Sequence, residues 1–284
     1  MRKLNVLSLF DGISCGREAL EKADIPVGKY YASEIDKYAV KVAVSNHPDT
    51  IEIGDVTGVT ANELPKIDLL IGGSPCQGFS NAGKRKNFDD PRSRLFWEYV
   101  RILRETKPER FLLENVVMKE EWANVITEAL EVEPIMIDSS LVSAAVRKRL
   151  YWTNIEGIEL PHDRHITFGD IREHDVPVGS IYYSEKAMEW IRRHEQRTGK
   201  KLRVIRDGDK MQMLEASMYK KYSSQRFFGI KDKYGLRYIT VKEAERCQGL
   251  PDGYTSAVSN TQAYKELGNG WQVDTVAHIF SFLE

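Results

Sequence analysis

Leu4-Asn5-Val6-Leu7-Ser8-Leu9-Phe10-Asp11-Gly12-Ile13-Ser14-Cys15-Gly16 opens on an apolar run short enough for a buried strand and breaks at a glycine-containing turn. The turn leads into an amphipathic stretch at 17–22, read as a helix. Working outward, the same alternation recurs. Strands are expected at 29–33, 50–53, 67–71, 111–114 and 134–138, and helices at 37–44, 94–105 and 121–130. Residues 141–142 and 150–153 are expected to pair as a hairpin. This spacing predicts an α/β fold with a largely parallel, doubly wound sheet. Parallel strands present their carboxyl ends along one edge, where ligands bind. Phe10-Asp11, Glu34, Asp55, Cys76 and Glu114 all fall just after expected strands, so five polar or reactive positions converge on that edge.

With 284 residues the chain buries a substantial core without cross-links. Its three cysteines, Cys15, Cys76 and Cys247, show no paired spacing, which argues against a structural zinc site or a disulfide framework. No metal is expected, and a reducing compartment is. The run after Met1-Arg2-Lys3 is too short for a signal peptide, no apolar run reaches membrane-spanning length, and no membrane partner is expected. The net charge of −1 hides an asymmetry: residues 184–240 carry 15 Lys plus Arg against 7 Asp plus Glu. Such a segment is either a polyanion-binding surface or a solvated charged face. Past 155 the alternation weakens into a polar module with Tyr182, Tyr183, Trp190, Tyr219, Tyr222, Phe227 and Phe228. Helical periodicity returns at 241–247 and near 271–282.

The loop of Phe10, Asp11, Gly12, Ile13 and Ser14 lacks the GxGxxG glycines of a dinucleotide site, and no P-loop lysine follows it. Glu34 lies about twenty residues further, where an acid typically holds ribose hydroxyls. Asp36 assists it or caps the next helix, and Asp55 is placed to accept from an adenine amino group. For any one acid a cap or surface role is the ordinary reading; the ordered trio points to a nucleoside cofactor without a phosphate cradle, and S-adenosylmethionine fits best. Gly72-Gly73-Ser74-Pro75-Cys76-Gln77-Gly78-Phe79-Ser80 sets a cysteine in a rigid loop at a strand end, where a thiol acts as a nucleophile rather than as core. With Glu114-Asn115 and Arg147-Lys148-Arg149 it forms a set able to add to a pyrimidine ring.

Leu9-Phe10-Asp11-Gly12, Ser74-Pro75-Cys76-Gln77, Glu114-Asn115-Val116, Arg147-Lys148-Arg149, Gln248-Gly249-Leu250-Pro251 and Gly268-Asn269 occur in this order across nearly the whole chain. In this they resemble the motifs of the DNA (cytosine-5)-methyltransferase family. Ser143-Ala144-Ala145 and Leu267-Gly268-Asn269-Gly270-Trp271 resemble the catalytic domain of the animal de novo branch. Ala145 stands where most bacterial members have glutamine, and Gly270-Trp271 replaces the usual Ser-Val.

The resemblance implies a Rossmann-like S-adenosylmethionine-dependent methyltransferase fold with a small inserted target-recognition region. The expected division is 1–155 for cofactor and catalysis, 156–238 for target recognition, and 239–284 returning to the catalytic domain. Cys76 would supply a thiolate to carbon 6 of a flipped-out cytosine. Glu114, protonated or sharing a proton with ring nitrogen 3, would offset the charge that develops on the ring. Arg149 would hold the base carbonyl, and Arg147 would orient Glu114 or a phosphate. Val56, Asn269 and Trp271 join the cofactor set. Ser80, Lys84 and Arg85, with Lys86, would close over the flipped nucleotide; Arg192, Lys220 and Arg226 would meet DNA. The partner is double-stranded DNA, with a cognate restriction endonuclease in a restriction setting and a homo-oligomer left open. A cytoplasmic, prokaryotic or phage-encoded enzyme is expected. The alternatives are the same chemistry on tRNA, or an inactive DNA-binding paralogue.

Overall fold

The computed structural model describes residues 2–74, 94–174, 176–177, 179, 181–220 and 227–283. Contacts divide the chain into two compact units. The first comprises residues 1–139, 148–161 and 271–284, and the second Ser140–Arg147 and His162–Gly270.

In the first unit, β1 (Leu4–Leu9), α1 (Cys15–Lys22), β2 (Val27–Ser33), α2 (Lys37–Asn46), β3 (Ile51–Glu52), β4 (Leu69–Gly72), α3 (Arg94–Thr106), β5 (Arg110–Val116), α4 (Glu120–Leu130), β6 (Ile135–Asp138) and β7 (Lys148–Thr153) follow in order. They build a sheet of order β3-β2-β1-β4-β5-β7-β6. The pairs β1–β2, β2–β3, β1–β4 and β4–β5 are parallel, while β7 runs antiparallel to both β5 and β6. The expected α/β class with a largely parallel sheet is what forms. Strands covered on both faces need continuous apolar sequence, and Val6, Leu7, Leu9, Leu69, Leu70 and Ile71 are all fully buried. One core joins Leu7, Leu9, Leu70 and Leu113 to Phe96, Tyr99 and Ile102 of α3 and Ile126 of α4. Strand order reverses between β1 and β4, which sets a ligand crevice outside their carboxyl ends.

The expected hairpin of 141–142 with 150–153 does not form. β7 pairs instead with β6, Ile137 opposite Arg149, and with β5, Glu114 opposite Tyr151. Residues Ser139–Leu141 make a 3₁₀ turn, and the chain then leaves for the second unit. The physical reason is ladder length: Leu141-Val142 offers two residues, whereas β6 and β5 together satisfy β7 along both edges. Strand β1, expected over 4–10, ends at Leu9, and α1 starts at Cys15 rather than 17.

The second unit contains α5 (Phe168–Ile171), α6 (Glu185–Thr198), β8 (Arg203–Ile205), β9 (Phe228–Asp232), β10 (Gly235–Arg237), α7 (Val241–Cys247) and α8 (Asn260–Asn269). Its sheet has the order β10-β9-β8. Strand β10 ends on a fully buried cation: Arg237 is 0 % exposed. Its guanidinium grips both oxygens of Glu243 at 2.8 and 2.7 Å and reaches Asp232 at 3.1 Å. Glu243 in turn closes a capping box with Thr240 at the start of α7. Removing either member would strand a buried charge at a cost of about 3–5 kcal/mol. The expected 239–284 segment divides at Gly270: the chain re-enters the first unit at Trp271 and forms α9 (Val273–Phe280) there.

Candidate active site

At the carboxyl end of β1 the backbone turns through three left-handed residues, Phe10 (φ 57°), Gly12 (φ 61°) and Ser14 (φ 59°). Such conformations in non-glycine residues persist only where the surroundings enforce them, and they cluster at functional sites. Asp11 supplies the enforcement. Its carboxylate accepts from Tyr30 Oη of β2 at 2.7 Å and from Ser14 Oγ. Burial holds its pKa above the ordinary carboxylate value. Asp11 therefore shapes the loop, while Ile13 and Ser14 are buried with it. Glu34, at the end of β2, accepts from Gly12 N at 2.9 Å through Oε2, and from Ile35 N and Asp36 N at 2.7 and 2.8 Å through Oε1. It ties the loops after β1 and β2 together. A Cβ added at Gly12 would meet nothing within 4 Å, so open space lies directly against this loop.

Asp36 and Asp55 occupy cap positions. Asp36 accepts from Tyr38 N at the start of α2, and Asp55 from Thr57 N of a 3₁₀ turn, each at 2.9 Å. Val56 belongs to the core rather than to the crevice surface. Two neighbours escaped the sequence reading. Ile35 is 76 % exposed between two acids, an apolar face beside the open space. Glu52 of β3 has both carboxylate oxygens buried with no hydrogen-bond partner among the described residues. Its alternation with Ile51 and Ile53 was the available signal.

Burial pushes the Glu52 carboxyl up to about 7, and the charges of Asp11 and Glu34 push it the same way. A folded-state value above the unfolded value of about 4.3 means that the native protein holds an extra proton between the two, so stability falls as pH rises through that window. Glu52→Gln is therefore expected to flatten the dependence of Tm on pH between pH 5 and 7 and to raise Tm at pH 8. Parallel curves for variant and wild type would show that Glu52 does not titrate there.

Along the same edge β4 runs into Gly73 and Ser74, the last described residues before Pro75-Cys76. Cys76, Ser80, Lys84, Arg85 and Lys86 lie outside the described residues. Gly73 is a point of close approach: a Cβ there would lie 2.8 Å from Trp271 Nε1 and 3.2 Å from Glu114 Oε2. The Trp271 ring also reaches Gly16 of α1. It thus spans from the first loop to the end of β4, where the sequence reading set it beside a cofactor. Asn115 Nδ2 donates to Ser74 Oγ at 3.2 Å and steadies the root of the cysteine loop. Glu114 is buried at the end of β5, and Arg149, on the antiparallel β7, pairs with it, Nε to Oε1 at 2.7 Å. The arginine that orients Glu114 in the first unit is thus Arg149.

Arg147 is buried in the second unit, where it donates to the carbonyls of Leu214 at 3.2 Å and Gly270 at 2.7 Å. Gln248 Nε2 donates to the carbonyls of Leu267 and Gly270. The arginine, glutamine and Gly268-Asn269 motifs therefore meet at one turn, with the Asn269 side chain exposed. Ala145 makes a bridge to Met211. Arg192 on α6 and Lys220 are exposed, and Arg226 lies outside the described residues. Among the described residues no helix is long and apolar enough to cross a membrane.

Comparison with known proteins agrees with this geometry. The family model described as C-5 cytosine-specific DNA methylase matches residues 4–132 and 146–284. The type II methyltransferase M1.ScrFI of Lactococcus lactis subsp. cremoris is 31 % identical over 96 % of this chain and 76 % of its own. The type II methyltransferase M.NlaX of Neisseria lactamica is 32 % identical over 96 % of this chain and 94 % of its own. The crystal structure of the S. pombe Dnmt2 methyltransferase superposes with a TM-score of 0.79 at 22 % identity, covering 99 % of this chain and 98 % of that one, and so shares the fold. The chain belongs to the C-5 cytosine-specific DNA methylase family and is a DNA cytosine-5 methyltransferase.

Proposed function

We propose that this enzyme uses S-adenosylmethionine and acts through a covalent Cys76 adduct on a flipped-out cytosine within a short sequence of double-stranded DNA. The observation that carries the reading is the buried Glu114–Arg149 pair, with Glu114 and Trp271 both set against Gly73, three residues before Cys76. When bound, the cofactor supplies the methyl group. Its fit rests on the open space at Gly12, the exposed Ile35 face, and the carboxylates of Glu34 and Asp55 as acceptors for ribose and adenine. Backbone of Phe10, Asp11, Ile13 and Ser14, the Asp36 cap and Trp271 complete that set.

Cytosine carbon 5 is a poor nucleophile. A thiolate bonded to carbon 6 makes the ring electron-rich at carbon 5, which divides one hard step into two. Glu114, sharing a proton with ring nitrogen 3, offsets the charge that develops, and Arg149 both holds Glu114 and faces the base carbonyl. After methylation, loss of the carbon 5 proton re-forms the double bond and expels the Cys76 thiolate. Residues 156–238 are the proposed target-recognition region. Their basic side chains, Arg192, Lys220 and Arg226 among them, contact mostly phosphate. The small size of the region suits a site on the order of two to four base pairs.

The direct test is incubation with labelled donor and either duplex DNA or total tRNA, followed by mass spectrometry for 5-methylcytosine and bisulfite sequencing. Label in DNA within one short motif is expected; label confined to tRNA would overturn the reading. Glu34→Ala should weaken binding of S-adenosylmethionine and S-adenosylhomocysteine alike by roughly 1–3 kcal/mol, the value of a hydrogen bond to a charged group. Asp55→Ala should have the smaller effect, because Asp55 is exposed and also caps its own turn. Calorimetry showing wild-type affinity in Glu34→Ala would remove Glu34 from the cofactor set.

A further inference from the structure

The loop Ser140–Arg147 delivers Arg147 and runs directly into β7, which carries Arg149. In the second unit it is held by a strap at 210–216. Lys210 Nζ donates to the carbonyls of Ser140 at 2.6 Å, Ser143 at 3.0 Å and Ile166. These three bonds use all three donors of an ammonium group. One residue on, Met211 N donates to Ala144 O at 2.6 Å, and Met211 O accepts from Val146 N at 2.9 Å. Further along, Leu214 O accepts from Arg147, and the Glu215–Ala216 backbone packs against Gly268. Arg147 itself closes the circuit by donating to Gly270 O.

We propose that Lys210 is a positioning residue for methyl transfer, acting through the loop that presents Arg147 and Arg149. Three carbonyls converge on one charged donor, and the two from Ser140 and Ser143 fix the path of the loop's first half. Hydrogen bonds to a charged donor are shorter and stronger than neutral ones. Met211 sets the register of the loop at Ala144 and Val146, while the Lys210 ammonium holds its first half through Ser140 and Ser143. The strap belongs to the segment proposed to read DNA, so its hydrogen bonds tie that segment to the arginine loop and, through Gly268 and Arg147's bond to Gly270, to the turn before Trp271. This inference rests on the proposed roles of the two arginines.

The test compares Lys210→Ala and Lys210→Arg with wild type. It measures single-turnover methylation at saturating donor and DNA, equilibrium binding of DNA and of S-adenosylhomocysteine, and the rate of adduct formation on DNA containing 5-fluorocytosine. Lys210→Ala is expected to slow methylation and adduct formation together by about 100-fold, the scale of a roughly 1 Å misplacement of a reacting group. Both binding constants should stay close to wild type. Propylammonium added to Lys210→Ala should recover part of the rate by refilling the carbonyl cradle, and Lys210→Arg should be less impaired than Lys210→Ala. A wild-type rate in Lys210→Ala overturns the proposal. So does a variant that unfolds, or one that loses binding and rate in equal proportion without amine rescue, since Lys210 would then be only a structural support. A wild-type enzyme that methylates DNA but forms no adduct would instead sink the Cys76 reading, with the effect of Lys210 still measured by methyl transfer.

Discussion

Cys76→Ala is expected to abolish methyl transfer while leaving DNA and S-adenosylhomocysteine binding within a few fold of wild type. A thiol that acts only in the chemical step contributes little to ground-state affinity, so its removal lowers kcat and kcat/KM together. Without nucleophilic addition at carbon 6, carbon 5 is not activated, and among the described residues no other thiol offers a comparable nucleophile: Cys15 is buried in α1, and burial of Cys247 in α7 raises its pKa far above the usual thiol value. Wild type should also form a denaturation-resistant adduct on 5-fluorocytosine DNA, because fluorine at position 5 cannot leave as a proton does. An active Cys76→Ala enzyme, or a wild type that methylates DNA yet never traps the analogue, would defeat covalent catalysis.

The carboxyl edge was legible in the sequence because each of its parts has a local cause. An apolar run ending in Phe10-Asp11-Gly12 reads as strand and turn without reference to anything distant, and Glu34 follows the next strand by the same logic. Partnerships across strands were not legible. That Asp11 faces inward to Tyr30 depends on how β1 and β2 register, and that Arg149 meets Glu114 depends on β7 running antiparallel beside β5. The mistaken hairpin at 141–142 has the same root: pairing of 150–153 with strands more than ten residues distant is a long-range choice that local apolar content does not reveal. Lys210 was hidden in a segment with fifteen basic residues, where a lysine inside a carbonyl cradle looks like any solvated one.

Glu114→Gln is expected to lower kcat by about 100- to 10,000-fold, the range for loss of a positioned acid–base group, with DNA affinity largely preserved. The amide keeps the shape of the carboxylate, and its oxygen can still accept from Arg149 Nε, so the ladder between β5 and β7 need not move. What is lost is the capacity to share a proton with ring nitrogen 3 as charge builds during thiolate addition. Adduct formation should therefore slow in step with methylation, since both wait on addition. The variant also leaves the buried Arg149 without its counter-charge, and a lowered Tm is expected alongside the loss of rate. Arg149→Lys separates the two effects. Lysine restores a cation beside Glu114 but not the planar fork that holds a carboxylate and a base carbonyl at once. If the pair acts as a unit, the double variant Glu114→Gln/Arg149→Lys should be little slower than the worse single variant. Multiplicative losses would mean that the two residues serve different steps, and a Glu114→Gln enzyme with wild-type single-turnover kinetics would remove Glu114 from the chemistry altogether.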